Sequence, residues 1–270
     1  MIRSLVWLFA FVIFSQAANA GNIILQGEFT QGGLITGNVW PGSSIEFNGK
    51  AVKVSPDGFF VLGFGRDAGP EAAVNVTFPD GSAENIPLEI TKRKFKIQRI
   101  DGLPKRKVTP KPEDLKRIRD DNTQIAQVRR LNSDHAYFSS GFIWPLKGRI
   151  SGVFGSQRIL NGKPKSPHNG VDIAAPKGTE IVAPADGVVV LVHQAMFYSG
   201  KTLMIDHGHG LSSVYIHMSE ILVAEGQQVA QGEPIGKVGM TGRATGPHLH
   251  WGVTLFGTHL DPALAAGPME

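Results

Sequence analysis

Apolar and polar positions alternate with period two along much of the chain, in short runs separated by turn residues. Val74-Asn75-Val76-Thr77-Phe78 is one such run, closed by Pro79-Asp80-Gly81. Ile45-Glu46-Phe47 and Val52-Lys53-Val54 flank Asn48-Gly49, the strongest short-range signal for a hairpin. Pro56-Asp57-Gly58 supplies a further reversal. The stretch from Asn22 to about Ile90 therefore predicts a small β-sandwich of about six or seven strands, without the Cys-Trp-Cys spacing of antibody-type domains.

The period changes after Thr91. Residues up to Lys111 are basic and broken by Pro104 and Pro110, which predicts an extended linker. Glu113 and Asp114 then open a helical run to about Leu131, where acidic side chains complement the helix dipole. Leu115, Ile118, Ile125 and Val128 form its apolar stripe, which predicts docking on one of the domains. From Phe142 onward short strands return. Ala183 to Val190 and Val223 to Gly236 are near-repeats of a turn-strand pattern with glycines at the corners, which let an antiparallel sheet bend and close. Biotinyl and lipoyl carrier domains and sugar-phosphotransferase carriers share that cadence, a likeness of fold that cannot set function. The expectation is a mainly all-β chain: an N-terminal β-sandwich-like domain (21–91), a basic linker with one helix (92–141) and a C-terminal antiparallel β domain (142–270).

Candidate chemistry lies in that last part. In Gly246-Pro247-His248-Leu249-His250-Trp251 the Gly-Pro pair fixes where a strand begins, and strand alternation puts His248 and His250 on one face, about 7 Å apart at Cα. One of the two can bind a metal while the other faces the metal's water. Upstream, Pro167-His168-Asn169-Gly170-Val171-Asp172 holds an H-x-x-x-D pair in a context of Pro and Gly that argues against a helix, so the turn must aim both side chains at one point. His168, Asp172 and one histidine of the H-x-H make two imidazoles and a carboxylate, the open shell of a catalytic zinc. A third element, a hairpin whose second strand runs from about Ser212 to Met218, carries His217 on the face expected for Tyr215 and Ser213.

These three motifs, in this order, resemble the lysostaphin/LytM-type zinc metalloendopeptidases over about Trp144 to Pro262. The resemblance implies a catalytic domain of the LytM/barrel-sandwich-hybrid type, with His168, Asp172 and His250 as zinc ligands and His217 and His248 as the catalytic pair. Departures are small: Ala244 stands where serine is common, Met218 where leucine is usual, and Trp251 where phenylalanine often follows the H-x-H. None removes a ligand or a base. His207 and His209, on a Gly-flanked turn, read as structural or rim residues. The implied activity is hydrolysis of peptide cross-links or stem peptides of bacterial peptidoglycan, with Zn2+ as cofactor. Loops over Leu160–Ser166 and Tyr198–Lys201 would make a narrow groove for slim peptides. The competing reading is a non-catalytic LytM-like activator of another wall hydrolase; such relatives lose ligands, whereas all five residues are kept here. A carrier domain is the third reading, and no lysine sits at a Met-Lys-Met turn to support it.

Charge and composition set the address. Arg3, an apolar run from Leu5 to Phe14, and Ala18-Asn19-Ala20 before Gly21 read as a signal peptide over residues 1–20. The run is too short to span a bilayer. The expected location is the periplasm or cell envelope, soluble after cleavage. No cysteine is present, so neither a lipidated Cys nor a disulfide framework is available. The net charge of +4 conceals a basic stretch, Lys92 to Arg119, with twelve Lys/Arg against three acids. The stretch reads as a solvated linker face or, as the alternative, a contact for an anionic wall or membrane surface, and not for nucleic acid.

Overall fold

The computed structural model describes residues 23–269. The signal peptide expected over 1–20 lies outside the described residues.

Seven strands form the N-terminal part: β1 (Ile23–Gly27), β2 (Leu34–Val39), β3 (Ser44–Phe47), β4 (Lys50–Val52), β5 (Phe59–Gly63), β6 (Glu71–Thr77) and β7 (Ala83–Glu89). They make two antiparallel sheets, β1-β2-β5 and β4-β3-β6-β7. Alternation decides which face is inside: on β6, Val74 and Val76 are fully buried while Asn75 and Thr77 are exposed. Asn48 and Gly49 both take the left-handed conformation (φ 49° and 74°), the turn whose twist matches a two-residue hairpin. Ile35, Ile45, Phe60, Leu62, Val74 and Val76 fill the space between the sheets.

The basic stretch is more ordered than a linker. It holds strand β8 (Ile97–Ile100), a one-turn helix α1 (Lys105–Val108) and the long helix α2 (Asp114–Val128). Then follow β9 (Arg149–Gly152), β10 (Gln157–Leu160), β11 (Lys163–Pro164), β12 (Val171–Ala174), β13 (Glu180–Val182), β14 (Gly187–Met196) and β15 (Gly200–Gly208). The chain continues through β16 (Leu211–Met218), β17 (Glu220–Ile221), β18 (Gln228–Val229), β19 (Pro234–Lys237), β20 (His248–Leu255), β21 (Thr258–Leu260) and helix α3 (Pro262–Ala266). The main sheet has the order β18-β14-β15-β16-β20-β12-β9, with β21 added to β20. A small sheet, β13-β19-β17, lies beside it, and β8 pairs in parallel with β10 in a third. The expected extended linker is thus in part a strand, because Ile97 to Ile100 satisfy their backbone groups on the edge of β10.

One face of the main sheet carries Tyr215, Trp251, Leu249, Ile173 and Leu203 into the core, all fully buried. The other face carries Asp172, His250 and Ile216 in cross-strand register. Helix α2 covers part of this second face, packing Ile125 and Val128 against Met204, Val214 and Ile216. Leu115, at the start of the expected stripe, stays exposed; the first half of the helix meets the β14–β15 turn through polar groups instead, Arg117 donating to the Ala195 carbonyl and Asp121 accepting from the Phe197 amide at 2.7 Å. The uncovered part of that face holds the candidate site.

The sandwich is docked on the C-terminal part. Leu34 and Val61 point away from their own core into that of the main sheet. Arg66 donates to the Gly155 carbonyl (2.8 Å), and Arg93 pairs with buried Asp261 at 2.8 Å. Asp261 also caps α3, its Oδ1 accepting from the Ala263 amide at 3.0 Å. Replacing Asp261 with alanine removes the cap and leaves the Arg93 guanidinium without this partner. Urea unfolding is expected to show a loss of about 1–2 kcal/mol.

Candidate metal centre

Each functional side chain is positioned by a local backbone decision. Asp172 and His250 are directly opposed on β12 and β20, so their side chains leave the sheet on the same face. His168 sits in the loop before β12, tied down by its amide to the Ser156 carbonyl (2.9 Å). The three donors meet: His250 Nδ1 lies 2.8 Å and His168 Nε2 3.0 Å from the same Asp172 oxygen, and the two nitrogens are 2.8 Å apart. No other cluster of three such ligands occurs among the described residues.

The donor set fits a metal. His168 Nδ1 stands 3.1 Å from the Val153 carbonyl, which only accepts, so Nδ1 carries the proton and Nε2 presents its lone pair. That lone pair faces a carboxylate oxygen. Two electron-rich atoms at this separation repel unless a cation lies between them. Two imidazole nitrogens and one carboxylate oxygen, with the rest of the shell open, are the donors of a catalytic zinc site. Burial disfavours charge on His250, and it titrates at about 4 despite its contact with Asp172, which keeps its lone pair available at neutral pH.

His217 reaches this face by a different route from the one expected. A regular strand would put it beside the core residues, opposite to Ile216 and His250. Instead it adopts φ 65°, and the β15–β16 register shifts between Leu203 and Lys201. The local twist turns its ring to within 4.8 Å (centroid to centroid) of His248 and 6.5 Å of His250. The expectation that His217 shares the side of Tyr215 and Ser213 is corrected accordingly: those two point into the interior. His217 Nδ1 donates to the Thr241 carbonyl at 2.7 Å and His248 Nδ1 to the Gly246 carbonyl at 2.9 Å. In the neutral tautomer that these contacts select, each ring presents its lone pair at Nε2. Burial, then the neighbouring His248 and His250, push His217 down to about 3, so it is neutral at working pH.

Sequence reasoning missed two supports. Arg158 on β10 donates to the second Asp172 oxygen, Oδ2, leaving Oδ1 turned towards the histidines. Gly152 on β9 lies so close to Asp172 that a Cβ there would come within 2.3 Å of Oδ2; only glycine fits. A lone arginine and one glycine among many carry no signal without the register that brings them to Asp172.

His207 and His209 are buried away from the centre. His207 Nδ1 donates to the Asp186 carbonyl (2.6 Å) and its Nε2 meets Ser213 Oγ (2.7 Å), a structural role and not a rim position. Burial lowers it to about 4. The unfolded chain takes up that proton near pH 6.5 while the folded one does not, so its contribution to stability is full above pH 6.5 and is lost as pH falls towards 4. The expected loss, on the order of 2–3 kcal/mol, is checked by urea unfolding at pH 7 and pH 4.5. His207→Gln should flatten the slope.

Residues 166–262 match the profile described as peptidase family M23. A crystal structure of a Pseudomonas aeruginosa protein, described as a candidate M23 peptidase, superposes with a TM-score of 0.68 at 31% identity, covering 90% of this chain and 96% of that one. The chain is 42% identical over 124 residues to the peptidoglycan DD-endopeptidase ShyA of Vibrio cholerae, 46% of this chain and 29% of that protein. It is 45% identical over 101 residues to the DD-carboxypeptidase/endopeptidase Mpg of Neisseria meningitidis, 37% of this chain and 23% of that one. The matches thus span less than a third of these curated relatives' own lengths.

Proposed function

The chain belongs to peptidase family M23, and from that premise we propose that it is a zinc-dependent endopeptidase acting on the cross-links or stem peptides of bacterial peptidoglycan. The observation that carries the reading is the meeting of His168, Asp172 and His250 beside two further histidines whose unprotonated Nε2 atoms face the same space. The names of the Vibrio and Neisseria relatives support the choice of substrate.

His168 Nε2, an Asp172 oxygen and His250 Nδ1 would hold the metal. When bound there, zinc polarises a scissile carbonyl and makes a water acidic enough to attack it. His248, with 16% of its side chain exposed, is reached from solvent and is our choice for the group that takes the proton at Nε2 and passes it to the leaving amine. His217, buried and neutral with its Nδ1–H committed to the Thr241 carbonyl, would accept a hydrogen bond at Nε2 from the attacking water or the leaving amine. Arg158, paired with Asp172 Oδ2, holds the carboxylate in orientation. Arg158 and Leu160 of β10 line one side of the cavity beside the histidines.

The experiment is digestion of purified sacculi by the mature protein with and without a chelator, with fragments identified by mass. Chelator-sensitive release of peptide fragments is the expected result. Fragments cut in the glycan, or none, would overturn the reading.

We also propose export to the periplasm or cell envelope and attachment to anionic wall or lipid surfaces through the basic stretch. Lys92, Lys94, Lys96, Arg99 and Lys105 are exposed along it. Attraction between exposed charges fades as the Debye length falls to about 3 Å at 1 M salt. Retention on sacculi is therefore expected to drop steeply between low and high salt.

A further inference from the structure

The groove beside the metal centre is one-sided in charge. A cavity of about 340 Å³ runs from His250 and His217 to Tyr198, and Arg158, Lys165 and Arg243 line it with no Asp or Glu among the lining residues. The single carboxylate at its margin, Asp172, is already matched by Arg158 and by the histidines. A divalent metal adds further positive charge. Such a surface is complementary to an anion, and a peptide enzyme that cut neutral chains only would gain nothing from it.

Arg243 is built into place. Its guanidinium stacks on the Tyr198 ring (4.5 Å to the centroid), and its amide donates to the Tyr198 carbonyl at 2.7 Å. A stacked guanidinium is planar and oriented before a ligand arrives, so little rotamer freedom is lost on binding a carboxylate. Its surroundings also make it costly to keep charged: burial comes first, and the positive charge of Arg158 adds to it. An anion seated between the two arginines would offset both. Lys165 reaches the same cavity from the loop after β11, which is held by its amide to the Arg158 carbonyl (2.9 Å).

We propose that this end of the groove is a carboxylate subsite, in which Arg243 and Lys165 hold a free carboxylate of the substrate peptide close to the bond that is cut. The inference rests on the peptidase reading and narrows it to acidic peptides. The carboxylate has two possible sources, the C-terminus of a stem peptide or the side chain of an acidic residue within it. The shared chemistry is the same bidentate, charge-assisted contact.

Binding, not turnover, is the direct test. Isothermal titration of the metal-loaded mature protein would use acetyl-D-Ala-D-Ala as the acid and as its C-terminal amide, and acetyl-D-Ala-D-Glu amide beside acetyl-D-Ala-D-Gln amide. At least one acid is expected to bind about 10-fold or more tightly than its amide partner, and which pair shows the difference identifies the source. Arg243→Gln should abolish the discrimination, Arg243→Lys should restore part of it, and Lys165→Gln, at a half-exposed position with no structural contact through its ammonium, should weaken it in a protein that folds normally. Equal binding of acid and amide in both pairs, no acid binding at millimolar concentration, or unchanged discrimination in Arg243→Gln and Lys165→Gln would each overturn the subsite. None of these outcomes bears on the peptidase reading, which is judged by fragments released from sacculi.

Discussion

Alanine at His217 or at His248 is expected to lower turnover of a cross-linked muropeptide by about 10²- to 10⁴-fold while the bound metal remains. Neither ring needs to be a ligand for this. Their Nδ1 atoms are committed to the Thr241 and Gly246 carbonyls, so each ring is locked with Nε2 as the working atom. The rings lie 4.8 Å apart, close enough to serve one reacting group. The two variants should also differ from each other. If His248 moves the proton, His248→Ala should change the pH dependence of kcat/KM, whereas His217→Ala should lower the rate across the profile without moving it. Elemental analysis beside steady-state kinetics checks both; loss of metal from either variant would contradict the division.

The second large effect is expected at the ligands. His250→Ala or Asp172→Ala leaves two protein donors, and the metal should be lost on dialysis, with turnover falling to background. Removal of an outer support of a metal site already costs about 10- to 100-fold in affinity, so loss of a ligand should exceed that. Asp172→Ala carries an added penalty, because Arg158 then faces the cavity without its carboxylate. Arg158→Gln should fall between wild type and these variants: metal retained but weaker. Zinc content, measured without reference to activity, separates the three classes. Retention of zinc by His250→Ala with loss from His248→Ala would exchange the roles of the two histidines.

Much of this site was legible because strand alternation is a strict rule. His248 and His250 share a face on β20, and Asp172 opposes His250 across the ladder. The β3–β4 hairpin followed from Asn48-Gly49 for the same reason: two left-handed residues are needed there, and few pairs supply them. What alternation could not foresee is where it breaks. His217 counts to the wrong face and is brought round by one left-handed residue, a conformation that a histidine tolerates at a cost and that no neighbouring residue announces. The basic stretch misled for another reason. Its lysines and prolines read as solvated chain, yet Ile97 to Ile100 find an edge strand about sixty residues downstream, and a partner at that distance leaves no local trace. Arg158 was invisible on the same ground: it is defined by what it meets, not by what flanks it.

The parallel pairing of β8 with β10 also says where this protein can be cut. The family match begins at residue 166 and the last turn of sequence before the main sheet lies near 142, so either looks like a natural place to excise a minimal enzyme. Removing everything before 142 would strip β10 of its neighbour and expose a row of unpaired backbone groups beside the groove, the kind of edge that recruits other chains. It would also uncover Leu160, which Leu103 and Val108 now bury. A transplantable unit must start before Ile97. The inherited module and the foldable module are therefore different lengths of chain, and a graft made by homology alone would carry the candidate metal ligands without the β8-supported strand beside them.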